Sequence, residues 1–301
     1  MDIGVYLKER KEAVERHLAR IVSRWPGPGA PGGELAGAMA YSLEAGGKRL
    51  RPILVLAACR ACGRDEVEAV YNGACALELL HTYTLIHDDL PVMDDDDFRR
   101  GLPTCHRKFG ERRALLAGVG LLCAAFEELG RSAGELRLSR KEAGEVLEEV
   151  AAALGGGGVV GGQLVDLESE RKEIGRETLN YIHSHKTGAL LRVSCTLGGR
   201  LARADRKKLA ALAEYGEQLG LAFQIVDDLL DVEGDSRVLG KTAGADQARG
   251  KATFPALYGL VESRKLAAGA VEKSIAALER ARLDGEGILG GLAGFVLTRN
   301  Y

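Results

Sequence analysis

Apolar positions along the 301-residue chain recur mainly at the three-to-four-residue spacing of an α-helix, and strand-type alternation is nearly absent. The four glycines at 155–158 interrupt this pattern, because each Gly costs about 1 kcal/mol relative to Ala in a helix. They indicate either a loop or a helix in close backbone contact with a neighbour or ligand. The periodic segments predict helices over residues 2–24, 34–45, 52–62, 66–90, 110–130, 139–154, 159–168, 176–198, 205–233, 251–264 and 266–282, with a short one at the end.

We therefore predict an all-α fold. No internal repeat, low-complexity tail or Ser/Pro-rich linker divides the chain, so one helical domain over residues 1–301 is the simplest organisation. Hydrophobic residues make up 46% of the sequence, which is enough to bury a sizeable core.

Charge and segment composition exclude several partners. The formal net charge of −2 gives no overall attraction to nucleic acid or to an anionic membrane. Residues 1–20 lack the apolar core of a signal peptide, and the longest apolar candidate, 115–126, is too short to span a bilayer. We expect a cytoplasmic protein without membrane insertion. The CxxC of Cys59 and Cys62 has no second ligand pair, so buried or half-buried thiols in a reducing compartment are expected.

Two acidic clusters lie about 140 residues apart, and the second is the more regular. In QIVDDLLD, Asp227 and Asp231 are four residues apart and share one helix face. Like charges at that spacing destabilise a helix by a few tenths of a kcal/mol, and apolar residues surround them, so a cation is needed. Carboxylates without clustered thiolates or imidazoles favour a hard ion such as Mg²⁺, completed by substrate phosphate.

The first cluster lies in HDDLPVMDDDDFRRG. On a straight helix Asp88 and Asp94 would diverge by about 120°. Pro91 has no N–H to donate to the carbonyl of His87, so the helix should end or kink there. That break could return Asp94 towards Asp88 and Asp89. A solvated acidic surface is the alternative interpretation.

Basic residues next to glycines and carboxylates complement these acids. Arg and Lys bind phosphate well, and Arg can do so bidentately. Singly, each would more often be a solvated surface charge, but their repetition favours an anionic ligand. The candidates are Lys48, Arg49 and Arg51 in GGKRLRP, Arg99 and Arg100 after the acidic run, Lys186 in HKTGAL, and Lys241 and Lys251 around GADQARG.

In sequence the chain resembles the short-chain trans-prenyltransferase (polyprenyl synthetase) family, in particular its bacterial farnesyl diphosphate synthase type. The resemblance covers roughly residues 35–301. It rests on the basic loop GGKRLRP followed by two DDxxD-like motifs, which are the two acidic clusters. Two additional residues inside the first motif resemble the bacterial and plant subtype. The matching segments are GGKRLRP, LIHDDLPVMDDDDFRRGLPTCH, GGQLVDL, HKTGAL, FQIVDDLLDVEGD, LGKTAGAD, GKATFPAL and FVLTRN.

The resemblance implies a homodimer of the all-α isoprenoid synthase fold, with a deep central cavity and three Mg²⁺ ions. The metal residues would be Asp88, Asp94 and Asp227, supported by Asp89, Asp228 and Asp231. Allylic diphosphate would be held by Arg99, Lys186 and Lys241. Isopentenyl diphosphate would be held by Lys48, Arg51, His81 and Arg100. Thr187 and Gln224 would face the developing allylic cation.

The implied reaction joins an allylic diphosphate, dimethylallyl or geranyl, to isopentenyl diphosphate. Metal and cations stabilise the leaving diphosphate, and the proton is lost to that diphosphate, so no dedicated protein base is needed. Family members with an aromatic residue five positions before the first acidic pair make farnesyl products. Tyr83, with Thr84 beside it, therefore predicts a C15 chain; a core aromatic is the other interpretation of Tyr83.

Three alternatives stay open. A geranylgeranyl diphosphate synthase would share every motif. A terpene cyclase would use the first acidic motif but would not need GGKRLRP or the second motif. A non-catalytic regulatory subunit would keep the fold with broken motifs. One departure from the family is Gly118-Val119, where Gly-Asp is usual; we expect it to affect local packing rather than activity.

Overall fold

The computed structural model describes residues 2–233 and 252–298. Its helices are α1 (Ile3–Val22), α2 (Gly33–Glu44), α3 (Leu50–Ala61), α4 (Glu68–Asp88), α5 (Cys105–Phe109), α6 (Glu111–Glu135), α7 (Arg140–Leu154), α8 (Val159–Ser169), α9 (Arg176–Ile182), α10 (Ala189–Leu201), α11 (Arg206–Glu233), α12 (Phe254–Ala281) and α13 (Ile288–Thr298). A π-turn, His183–Gly188, lies between α9 and α10. The predicted all-α class is confirmed.

Four local features differ from the prediction, and the first is the short helix α5, which no predicted helix covers. A short antiparallel hairpin, β1 (Phe98–Arg99) and β2 (Leu102–Pro103), follows the first acidic segment. The helix predicted over 176–198 is split by the π-turn. The two helices predicted over 251–264 and 266–282 form α12, which is kinked earlier than predicted, at Gly259, where φ is 75°.

The chain forms two compact units. Unit A comprises Gly4–Leu56 and Glu66–Ala143, and unit B comprises Met1–Ile3, Ala57–Asp65 and Gly144–Tyr301. Each unit draws on more than one stretch of the chain. The single domain predicted over residues 1–301 stays a prediction.

Unit A is organised around α4, which is buried on almost every side. A helix that is apolar all round belongs in a core, and α4 packs against α6 and α2. The Ser132 hydroxyl donates to the carbonyl of Ala69 over 2.6 Å, which joins α6 to the start of α4. The C-terminal end of this central helix carries the first acidic segment.

Unit B is organised around α11, which packs against α10 and α12. The Tyr215 hydroxyl donates to the carbonyl of Leu289 over 2.8 Å and so ties α11 to α13. A core cluster surrounds the C-terminal half of α11, formed by Leu179, Ile225, Val226, Leu229, Phe254 and Ala267. These contacts fix the helix that carries the second acidic motif.

The glycines at 155–158 form a turn rather than a continuous helix. A Cβ at Gly158 would lie 2.1 Å from the carbonyl oxygen of Ala153, so only glycine fits there. The segment Arg140–Ser169 has the length and apolar composition of a possible membrane span. Because α7 ends at Leu154 and α8 begins at Val159, neither helix alone approaches the about 20 residues that a span requires.

All six thiols are free. Cys59, Cys75, Cys105 and Cys195 are buried, and burial raises the pKa of the half-buried Cys62 thiol to about 11. A thiol with that pKa stays protonated and unreactive at neutral pH. The sequence-based expectation of buried or half-buried thiols is confirmed for these five cysteines but is wrong for Cys123, which is exposed on α6.

Candidate functional site

The first acidic segment folds back on itself in unit A. Helix α4 ends at Asp88, three residues before Pro91. The backbone N–H of Asp94 then donates to the carbonyl of Asp88 over 2.9 Å. The predicted return of Asp94 to Asp88 is therefore confirmed at the level of the backbone.

Buried Asp89 and partly exposed Arg99 form an ion pair beside this segment. The Arg99 Nε donates to both carboxylate oxygens of Asp89, at 2.7 and 2.9 Å, while its Nη2 lies 3.4 Å from Asp96. Burial disfavours the charged guanidinium, but the Asp89 carboxylate outweighs this effect and the pKa of Arg99 is raised. Asp89 thus orients Arg99, whereas its expected role in supporting the metal stays a prediction.

Three of the four residues assigned to isopentenyl diphosphate lie close together at α4. Burial and then the nearby charges of Arg51 and Arg100 lower the pKa of His81 well below its ordinary value. His81 is therefore neutral at physiological pH and can donate one N–H. Arg100 reaches back to the GGKRLRP loop, where it donates to the carbonyl of Gly46, and Lys48 is exposed on that loop. Arg51, His81 and Arg100 thus lie together, and Lys48 lies on the loop that Arg100 contacts.

In unit B the π-turn carries Lys186 and Thr187. A π-turn widens the helix by one residue and is frequent at functional sites. Helix α8 packs closely against this turn at Gly162. A Cβ at that position would lie 2.3 Å from the backbone nitrogen of Lys186, so a larger residue would clash. The GG of GGQLVDL therefore allows α8 to approach the turn.

Hydrogen bonds connect the predicted residues of unit B. The Lys186 Nζ lies 2.6 Å from Asp166 of α8. The Thr187 hydroxyl donates to the Gln224 side-chain carbonyl over 2.9 Å, and the Gln224 amide donates to Asp228 over 3.0 Å. Together with Asp166, the predicted residues Lys186, Thr187, Gln224 and Asp228 line one open pocket of about 110 Å³.

The carboxylates of α11 differ in their surroundings. Asp228 and Asp231 are buried, whereas Asp227 is partly exposed. The second oxygen of Asp228 accepts the backbone N–H of Phe254 over 2.9 Å, so both its oxygens accept hydrogen bonds. His183 lies 3.5 Å from the same oxygen. Of Asp227 and Asp228, Asp227 is therefore the better placed to meet a ligand. Asp228 orients its neighbours through the hydrogen bonds that it accepts.

The donor chemistry fits Mg²⁺. Its candidate ligands Asp88, Asp94 and Asp227 supply only oxygen. Over residues 2–233 and 252–298, no three His, Cys, Asp or Glu side chains converge on one point. Mg²⁺ is usually held by one or two carboxylates and completed by substrate phosphate and water.

The chain-length candidates lie on α4. The Tyr83 ring packs edge-on against His87, with ring centroids 4.9 Å apart, and the His87 Nε2 is 3.1 Å from the carbonyl of Leu115 on α6. A Cβ at Gly118 would meet that Nε2 at 2.2 Å. Thr84 is buried, and its hydroxyl donates to the carbonyl of His81 over 2.8 Å. Glycine at 118 therefore makes room for the histidine that steadies Tyr83, whereas Val119 beside it is 43% exposed.

Sequence reasoning missed some residues that contact the predicted site residues, and two of the predicted residues cannot be placed. Asp166 stands in the quoted motif GGQLVDL, but no local rule pairs it with a lysine 20 residues away. Glu78 and His183 were likewise not singled out as site residues. Lys241 and Lys251 lie outside the described residues.

Comparison with known proteins points to one family. The model of the polyprenyl synthetase family matches residues 33–282. The chain is 45% identical over 285 residues to farnesyl diphosphate synthase of Geobacillus stearothermophilus, covering 95% of this chain and 94% of the relative. It is 44% identical over 297 residues to geranylgeranyl diphosphate synthase of Cyanophora paradoxa, covering 98% and 96% of the two chains. The crystal structure of an FPP/GFPP synthase from Zymomonas mobilis superposes with a TM-score of 0.85 at 35% identity, covering 97% of this chain and 99% of that one.

Proposed function

Because the chain belongs to the polyprenyl synthetase family, we propose that it is a short-chain prenyl diphosphate synthase. It condenses dimethylallyl or geranyl diphosphate with isopentenyl diphosphate, and farnesyl diphosphate is the main product. The full-length similarity to a farnesyl diphosphate synthase supports the product, and the geranylgeranyl relative makes a C20 product the alternative.

One observation carries the proposal: acidic and basic clusters adjoin each other along the same helix of unit A. Asp94 returns to Asp88 at the end of α4, and Asp89 holds Arg99 beside them. A metal-binding edge next to a guanidinium cluster is the arrangement needed to hold a diphosphate with its cations. It also argues against a regulatory subunit with broken motifs.

We assign three Mg²⁺ ions per chain to the carboxylates of Asp88, Asp94 and Asp227. When bound, Mg²⁺ neutralises charge on the leaving diphosphate. Asp89 and Asp228 orient neighbouring side chains, and Asp231 is the remaining buried carboxylate of the motif.

The chain's own residues perform the remaining tasks. Arg99 and Lys186 hold the allylic diphosphate, each kept in place by a carboxylate, Asp89 and Asp166 respectively. The oxygen of Thr187 and the side-chain carbonyl of Gln224 present dipoles to the positive charge that develops as the C–O bond breaks. Lys241 and Lys251, which lie outside the described residues, are the remaining cations that we assign to substrate diphosphate.

Lys48, Arg51, His81 and Arg100 hold isopentenyl diphosphate. Neutral His81 donates a hydrogen bond without adding charge. The alkene then attacks the allylic carbon, and the departing diphosphate takes the proton, so no protein base is required.

We further propose a cytoplasmic homodimer. Helix α6 exposes three apolar side chains: Leu115 at 50% and Leu116 at 55%, and one turn further along Val119 at 43%. A second copy of the chain would cover this stripe. Leu116→Glu should produce monomers in size-exclusion chromatography with light scattering, whereas Val261→Glu on α12, at a 68%-exposed position, should not. A dimeric Leu116→Glu variant would exclude α6 as the interface.

The assay that tests the function combines the purified chain with Mg²⁺, isopentenyl diphosphate and either dimethylallyl or geranyl diphosphate. We expect diphosphate release and a C15 prenyl product, both abolished by a chelator. A chain that releases diphosphate only by cyclising the allylic substrate alone would be a terpene cyclase. A chain without turnover in any combination would contradict the proposal.

A further inference from the structure

Arg49 differs from every other cation of the GGKRLRP loop. It is 4% exposed, although it stands between exposed Lys48 and partly exposed Arg51. Its Nη1 donates to the Glu78 carboxylate over 2.7 Å, and Glu78 is itself 1% exposed. The paired Arg99 and Lys186 keep 32% and 23% of their side chains exposed, whereas the Arg49 side chain is only 3% exposed and therefore has no surface to offer a substrate phosphate.

The same guanidinium joins the loop to two helices. The Arg49 Nη2 donates to the carbonyl of Leu43 near the end of α2 over 2.7 Å, while Nη1 holds Glu78 on α4. The carbonyl of Arg49 accepts the N–H of Ile53 over 3.2 Å and so begins α3. One side chain therefore fixes the loop relative to the helices on both sides of it.

The loop backbone needs this restraint. Gly46, Gly47 and Arg49 all have positive φ, at 83°, 132° and 53°. For arginine this left-handed conformation is disfavoured by its Cβ. A Cβ at Gly47 would lie 2.8 Å from the guanidinium of Arg100, so the fold of the loop also forms the place where Arg100 sits.

We propose that Arg49 and Glu78 are positioning residues that hold the GGKRLRP loop so that Lys48, Arg51 and Arg100 converge on the diphosphate of isopentenyl diphosphate. The inference rests on the proposed function. It separates two kinds of cation in and beside one loop: Lys48, Arg51 and Arg100 contact the substrate, whereas Arg49 acts through them.

The test separates positioning from stability. Arg49→Met alone leaves Glu78 buried without its partner, whereas the double variant Arg49→Met/Glu78→Met removes both charges. Replacing a buried pair by apolar residues is often neutral for stability. We expect both variants to raise the KM for isopentenyl diphosphate at least about tenfold, within the range of a lost charge-assisted hydrogen bond. The KM for geranyl diphosphate should stay within about twofold.

The urea midpoint is measured alongside the kinetics. It should recover in the double variant while the raised KM persists. Arg49→Lys, which keeps the charge opposite Glu78 but cannot also reach Leu43, should show an intermediate KM. Arg24→Met is the matched control, because it breaks the pair of Arg24 with buried Glu128 elsewhere in unit A; it should lower the midpoint without changing either KM.

Two results would overturn the inference: a double variant that regains the wild-type KM together with its stability, or a control that raises the KM as much as Arg49→Met. Metal-free calorimetry with inorganic pyrophosphate distinguishes failure of the function from failure of the inference. If the wild type has no synthase turnover but Arg49→Met weakens pyrophosphate binding about tenfold, the proposed function is wrong and the positioning role stands. Suppose instead that the wild type has synthase activity and that wild type and Arg49→Met bind pyrophosphate equally. If the variants then also keep the wild-type KM for isopentenyl diphosphate, the positioning role is wrong.

Discussion

Replacing Tyr83 by alanine should let the product grow beyond C15. Tyr83 lies five residues before Asp88 on α4, which places it about 7.5 Å further along the helix axis. Its ring is steadied by His87, which is held in turn by the carbonyl of Leu115. A prenyl chain tethered by its diphosphate at Asp88 and extending along α4 would reach this ring, and we therefore predict that the ring limits elongation.

The size of the effect follows from the volume released. The phenol ring and hydroxyl of Tyr83 together occupy more space than one five-carbon unit. Burying that unit contributes about 4 kcal/mol at about 0.8 kcal/mol per CH₂, whereas a hundredfold change in product ratio needs only about 2.8 kcal/mol. C20 should therefore become the main product. Since Tyr83 is half-buried, its loss costs about 2 kcal/mol of stability, half the full-burial cost, and the variant should fold.

The assay incubates each variant with geranyl diphosphate and labelled isopentenyl diphosphate, removes the phosphates and separates the alcohols by chain length. Tyr83→Phe is the matched control, because it keeps the ring and should still stop at C15. If Tyr83→Ala also stops at C15, the ring does not limit the chain and another helix does. A wild type that already makes C20 would overturn the farnesyl product but not the reaction class.

Three further predictions address metal, packing and pH. Asp88→Ala and Asp227→Ala should each lower kcat at least about a hundredfold with unchanged circular dichroism, because stabilisation of the leaving charge is lost; near wild-type turnover with Mg²⁺ would remove the assignment. Gly118→Ala should displace His87 and lower the free energy of unfolding by about 1–3 kcal/mol, and an unchanged urea midpoint would show that the ring moves freely. Because the pKa of His81 is lowered in the folded chain, the unfolded chain binds the extra proton, so stability should decline as pH falls below about 6.5. His81→Gln should reduce that decline in urea unfolding at about pH 5 and pH 8, and an identical decline would assign it to other groups.

Local rules predicted the parts of the fold and site that depend on neighbouring residues. The apolar periodicity gave the long helices, and the missing N–H of Pro91 explained both the end of α4 and the return of Asp94. The hairpin Phe98–Arg99 with Leu102–Pro103 escaped notice because two-residue strands are too short to show alternation.

Long-range pairing accounts for the rest. The sequence presents Arg49 as one more cation of a basic loop, because nothing nearby shows that Glu78 lies 2.7 Å from it. Likewise, Asp166 is one carboxylate on a helix until the fold places it against Lys186. Such pairs depend on which helices pack together, and single-helix periodicity does not contain that information.

The π-turn at His183–Gly188 constrains how this helix can change in length during evolution. Each residue rotates an α-helix by about 100°, and a π-turn holds one residue more than a regular turn. Deleting one residue here would give a continuous α-helix but would separate either Lys186 from Asp166 or Thr187 from Gln224. Active relatives should therefore align through this segment without a gap, and a one-residue deletion in a homologue would mark a chain that has lost this arrangement.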